Sequence, residues 1–110
     1  MITVLVKIDN GIVKEFSMNG HANYADNGSD IVCSAVSAVT NLTLIGLAEK
    51  LNIDIQVETA ESGYLKCEIP SDISQDKLEK SQFLLDCMIE ELLDIEKEYG
   101  KYIKVINREV

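Results

Sequence analysis

A chain of 110 residues with 46% apolar and 26% charged side chains, one proline and six glycines has the makeup of one globular domain, 1–110, not of a disordered or fibrous protein. Nineteen acidic against ten basic residues leave a net charge of −9, which repels phosphate backbones and argues against direct nucleic-acid binding while favouring a basic protein partner. Three cysteines without a C-x-x-C pair, beside a single histidine, support neither a disulfide framework nor a metal site, and they fit a reducing, cytoplasmic setting.

Ile2, Val4, Val6 and Ile8 alternate with Thr3, Leu5, Lys7 and Asp9, the period of a strand with one buried face. Asn10-Gly11 follows, a hairpin turn in which both central residues need positive φ. Ile12 to Met18 reads as the returning strand, with Ile12, Phe16 and Met18 on one face and Lys14 breaking that face. The opening residues lack the basic flank and cleavage site of a signal peptide.

Asn19 to Ser29 has loop composition and is longer than a minimal connection, a length at which loops are usually functional. Ser29 or Asp30 is placed to cap a helix from about Ile31 to Leu51, which puts Cys33 in its first turn. Ile31, Ala35, Ala38, Leu42 and Ile45 form one stripe of that helix, and Val32, Val36, Val39 and Leu47 an adjacent one. A helix apolar around so much of its circumference is packed on more than one side, by a sheet plus another helix or by a second subunit. Ser34, Ser37, Thr40, Asn41, Thr43 and Gly46 interrupt it too often for a membrane span.

Ile53 to Thr59 and Tyr64 to Ile69 alternate as a second hairpin around Ala60-Glu61-Ser62-Gly63. Ser71 or Ser74 then caps a long amphipathic helix to about Tyr99, with Leu78, Leu85, Met88, Ile89, Leu92 and Ile95 inward and Gly100 placed to end it in a left-handed conformation. Tyr102 to Ile106 is a last short strand. The order β-β-α-β-β-α-β predicts an α+β fold, a mostly antiparallel sheet with two helices packed on one face.

The chemistry concentrates between the first hairpin and the first helix. A thiolate is the reactive form of cysteine, and helix amides or a nearby imidazole lower its pKa. Closing the loop brings the imidazole of His21 towards the sulfur of Cys33, giving a nucleophile, a base and, from the amides of Cys33 and Ser34, an oxyanion site. Asp30 reads either as a helix cap or as an orienting partner for His21, with Asp26 and Asn23 as competitors. Gly20 and Gly28 are turn residues or loop hinges. Cys67 lies on the apolar face of a strand and reads as core; Cys87 lies on a polar helix face without a base. Glu90, Glu91, Asp94, Glu96 and Glu98 read as a solvated helix face.

Gly20-His21-Ala22, then Gly28-x-Asp30-Ile31-Val32-Cys33 and Ala35-Val36-Ser37, resembles the signature of the ribosomal-processing cysteine protease family, with Ser34 where many relatives carry alanine. The resemblance implies a cytoplasmic, homodimeric endopeptidase with no cofactor. In such a protein Cys33 is the nucleophile and His21 the base, and the substrate is the short N-terminal extension of a large-subunit ribosomal protein (L twenty-seven). The competing reading is a non-catalytic acidic dimeric adaptor or ribosome-assembly factor that holds a basic protein. Nothing in either reading calls for a membrane.

Overall fold

A computed structural model describes residues 1–20, 27–61 and 63–110 and, for residues 27–30, the backbone alone. Strands β1 (Ile2–Asp9) and β2 (Ile12–Asn19) form the first hairpin. Its turn is the expected one: Asn10 and Gly11 have φ of 51° and 77°, which supplies the twist that joins adjacent antiparallel strands. Helix α1 (Asn27–Ile45) follows and runs on through a π-helical turn, Gly46–Lys50. Asn52, with φ 53°, ends it. Strands β3 (Gln56–Ala60) and β4 (Tyr64–Glu68) form the second hairpin, then come helix α2 (Gln75–Tyr99) and strand β5 (Ile103–Glu109).

The five strands lie in the order β3-β4-β2-β1-β5. All pairings are antiparallel except β1 with β5, which α2 makes possible by carrying the chain back along the sheet. The α+β class and the element order are as the sequence predicts. One face of the sheet is core, built from Ile2, Val4 and Val6 of β1, Val13, Phe16 and Met18 of β2 and Cys67 of β4; the helices contribute Val32, Val36, Leu47, Leu85, Met88 and Leu92.

Lys14, the residue that interrupts the strand pattern, marks a β-bulge. Lys7 pairs with Glu15 and Ile8 with Val13, so Lys14 has no partner across the ladder and Val13 and Phe16 both turn inward. The bulge leaves main-chain groups to satisfy. Val13 N donates to Gln82 Oε1 at 2.9 Å, Gln82 Nε2 donates to Val13 O at 3.1 Å, and Ile69 N donates to Lys14 O at 2.9 Å. The inward set of β2 is therefore Val13, Phe16 and Met18 rather than Ile12, Phe16 and Met18.

Other element ends differ from their sequence readings for local reasons. Strand β3 begins at Gln56, not Ile53, because Ile53 is buried beneath the end of the first helix with its N–H donating to Leu47 O. Ser74 is the α2 cap, its hydroxyl accepting from Lys77 N at 3.2 Å. Gly100 is right-handed, at φ −61°, and not left-handed; the chain turns once more, with Tyr102 N donating to Tyr99 O. Glu96 does more than face solvent: it is partly buried and its Oε2 accepts from Val105 N at 2.7 Å, on the edge strand β5.

The two apolar stripes of α1 part company. Val32, Val36 and Leu47 are buried, while Ile31 is 54%, Leu42 67% and Ile45 45% exposed. Thr40 and Thr43 are buried on the inward side, with hydroxyls that donate to the carbonyls of Val36 and Val39. The stretch Ile31–Lys50 is long and apolar enough to cross a membrane by composition, and here it lies against a sheet.

Candidate active site

Helix α1 begins at Asn27, earlier than its capping residues suggest. Ser29 and Asp30 therefore lie within the first turn, and neither is the cap. Gly28 belongs to the helix and not to the loop before it. Cys33 is the seventh residue of α1, in the second turn rather than the first. In an α-helix started at Asn27 the amides of Cys33 and Ser34 already bond to carbonyls four residues back, and the dipole effect fades beyond the terminal turn. Those two amides are thus not free oxyanion donors in this structure. His21, Asn23 and Asp26 lie outside the described residues, as does the side chain of Asp30.

Cys33 is half-buried and opens onto a cleft of about 380 Å³, a volume in the range of ligand pockets. One wall is α1, through Cys33, Val36, Ser37, Thr40 and Asn41; the other is the β3–β4 hairpin, through Thr59, Ala60, Gly63, Tyr64 and Leu65. Ile2, Met18 and Gly20 close the end from which the chain leads to His21. No described lining residue carries a charge, although the chain as a whole carries −9. Thr40 fixes part of the floor, its hydroxyl lying 3.4 Å from Met18 Sδ.

Gly20 is held in a conformation few other residues adopt, at φ 96°, and a Cβ there would sit 2.5 Å from the carbonyl oxygen of Met1. The residue before His21 is thereby pinned to the start of β1. The remaining cysteines are elsewhere. Cys67, on β4 opposite Phe16 of β2, is fully buried, and burial, with a smaller contribution from Glu68, pushes its thiol up to about 12; Cys87 is exposed on α2. Of the three, Cys33 alone lines this cleft.

The hairpin wall was not legible beforehand, because its residues reach the cleft only through sheet order. Ser37 and Asn41 carried a signal: with Cys33 they recur every four residues, polar positions on one flank of an otherwise apolar helix.

A half-buried thiol at the mouth of an uncharged cleft, on an α+β sandwich, has the makings of a cysteine-dependent enzyme. Comparison with known proteins makes the class specific. Residues 1–104 match the family model for cysteine protease Prp. The chain is 34% identical over 103 residues to ribosomal processing cysteine protease Prp of Bacillus subtilis (strain 168), covering 88% of this chain and 87% of that one. It is 33% identical over 110 residues to the protein of the same name from Staphylococcus aureus (strain Mu50), covering 96% and 97%.

Among solved structures, the S. aureus protease Prp with a covalently linked product peptide superposes with a TM-score of 0.85 at 25% identity, covering 98% of this chain and all of that one. SMU.848 from Streptococcus mutans has the same fold, with a TM-score of 0.84 at 23% identity over 100% of this chain and 96% of its own. The chain belongs to the cysteine protease Prp family and is a cysteine protease. That sets aside the non-catalytic adaptor.

Proposed function

We propose that this protein is the endopeptidase that removes the short N-terminal extension of a large-subunit ribosomal protein (L twenty-seven), using Cys33 as nucleophile and His21 as base. The observation that carries this reading is the opening of Cys33, alone among the three cysteines, onto the cleft. The relatives named as ribosomal processing proteases support the substrate class, and a charge of −9 suits attraction of a basic ribosomal protein.

In the reaction the imidazole of His21 takes the thiol proton and the thiolate attacks the scissile carbonyl. The tetrahedral adduct collapses as the imidazolium protonates the leaving amine, which forms the new N-terminus of the ribosomal protein. Water, deprotonated by the same imidazole, then hydrolyses the thioester and frees Cys33. Asp30 is the orienting partner considered for His21. Gly20 serves as the fixed point from which the histidine segment departs.

The working unit is a homodimer in the cytoplasm. Ile31, Leu42 and Ile45 present an apolar face away from the core, and three free cysteines are stable in a reducing compartment. Incubating the purified protein with the extended precursor and sequencing the new N-terminus tests the reading. Cys33→Ala and His21→Ala are expected to abolish cleavage, while Cys67→Ala and Cys87→Ala retain it; a Cys33→Ala protein that still cuts would overturn the assignment.

A further inference from the structure

Three features of the cleft bear on how a peptide is held beside Cys33. The first is the polar flank of α1. Ser37 and Asn41 follow Cys33 at four-residue spacing, both are exposed, and both line the cleft. Second, among the described residues neither side chain has a hydrogen-bond partner within the protein, whereas the buried hydroxyls of the helical layer, Thr40, Thr43 and Ser81, are turned back onto the carbonyls of Val36, Val39 and Leu78. Third, the floor beneath them is apolar and uncharged, formed by Ile2, Met18 and Val36 with Leu65 opposite.

From Cys33 to Asn41 the helix rises about 12 Å, a span that an extended peptide covers in about four residues. An extended chain laid along that flank presents its amides and carbonyls to one side and alternate side chains to the floor. Amide and hydroxyl side chains, which both donate and accept, suit the main chain; charged groups would be needed only for charged side chains.

We propose that Ser37 and Asn41 are substrate-binding residues that hydrogen-bond the main chain of the peptide next to the bond Cys33 attacks, and so set the register at which the chain is cut. An uncharged side chain of that peptide occupies the floor of Ile2, Met18, Val36 and Leu65. The negative charge of the molecule acts on the distant basic body of the substrate and takes no part inside the cleft. This rests on the peptidase reading and extends it to named residues.

The test uses a synthetic peptide spanning the extension and its cleavage site, with kcat and KM measured for the wild-type protein, Ser37→Ala and Asn41→Ala. Asn41→Ala is expected to lower kcat/KM about tenfold, and Ser37→Ala about threefold, mainly through KM. A set of peptides in which successive amides are replaced by esters then locates the contact. One ester is expected to impair the wild-type protein and to have little added effect in Asn41→Ala. Both residues are exposed, so circular dichroism is expected to show unchanged folding. Unchanged kcat/KM in Asn41→Ala, or ester losses equal in variant and wild type, would overturn the inference while leaving the peptidase reading intact. A wild-type protein that never cuts the peptide or the full precursor overturns both.

Discussion

Gly20 shows how much a single residue contributes to the site. Its φ of 96° and the carbonyl of Met1 at 2.5 Å from a would-be Cβ mean that alanine meets both a strained conformation and rigid backbone. Gly20→Ala is expected to displace the segment leading to His21, lowering kcat/KM at least tenfold while the melting temperature falls by only a few degrees, as activity assays and calorimetry on one preparation will show. Cys67 illustrates the opposite case, a thiol removed from chemistry. Its pKa is raised to about 12 in the folded chain from 9.0. A raised pKa favours the protonated native form, so its contribution to stability is intact below pH 9 and is lost as the pH rises towards 12. Urea midpoints are expected to fall less steeply over that window in Cys67→Ala than in the wild type. At pH 8.5 iodoacetamide is expected to label native Cys67 only after denaturation.

Among the elements, the bulge in β2 is the feature on which the core depends most directly. One unpaired residue, Lys14, lets Val13 and Phe16 face inward together, and Gln82 of α2 satisfies both the N–H and the carbonyl of Val13. Gln82→Leu leaves those two main-chain groups without their partner. The loss is expected to be about 1–3 kcal/mol, read as a lower urea midpoint with an unchanged m-value. Gly46 marks a second tight junction, where a Cβ would collide with Leu84 of α2. The edge of β5 is protected similarly: Glu96 accepts from Val105 N and so occupies a ladder group that another chain would otherwise pair with.

At the scale of the molecule, α1 sits between two environments. Val32, Val36 and Leu47 fill the core, and Ile31, Leu42 and Ile45 face outward, with Phe83 of α2 also 73% exposed in the helical layer. Covering the outward face of α1 with a second copy would remove apolar surface from water at about 25 cal/mol per Å². For the proposed dimer, Leu42→Lys is expected to shift the protein towards monomer in sedimentation velocity without lowering its helical content. A wild-type protein that sediments as a monomer at micromolar concentration would exclude the dimer.

Much of this was legible in the sequence because it is written in short-range periodicity. Alternation identified the strands, Asn10-Gly11 the first turn, the Leu85-Met88-Leu92 stripe the inward face of α2, and the apolar setting of Cys67 its place in the core. The Gly20-His21 and Cys33 motif also indicated the family without any coordinates. Other features depended on local backbone energies or on partners distant in the chain. The start of α1 and the right-handed Gly100 reflect local backbone energies that propensity alone ranks poorly, and the bulge at Lys14 becomes stable only because Gln82 arrives 69 residues later. The cleft itself is decided by sheet order. Cys33 and the β3–β4 hairpin form one site because β4 pairs with β2, and that long-range register is a property of the folded sheet that no single segment encodes.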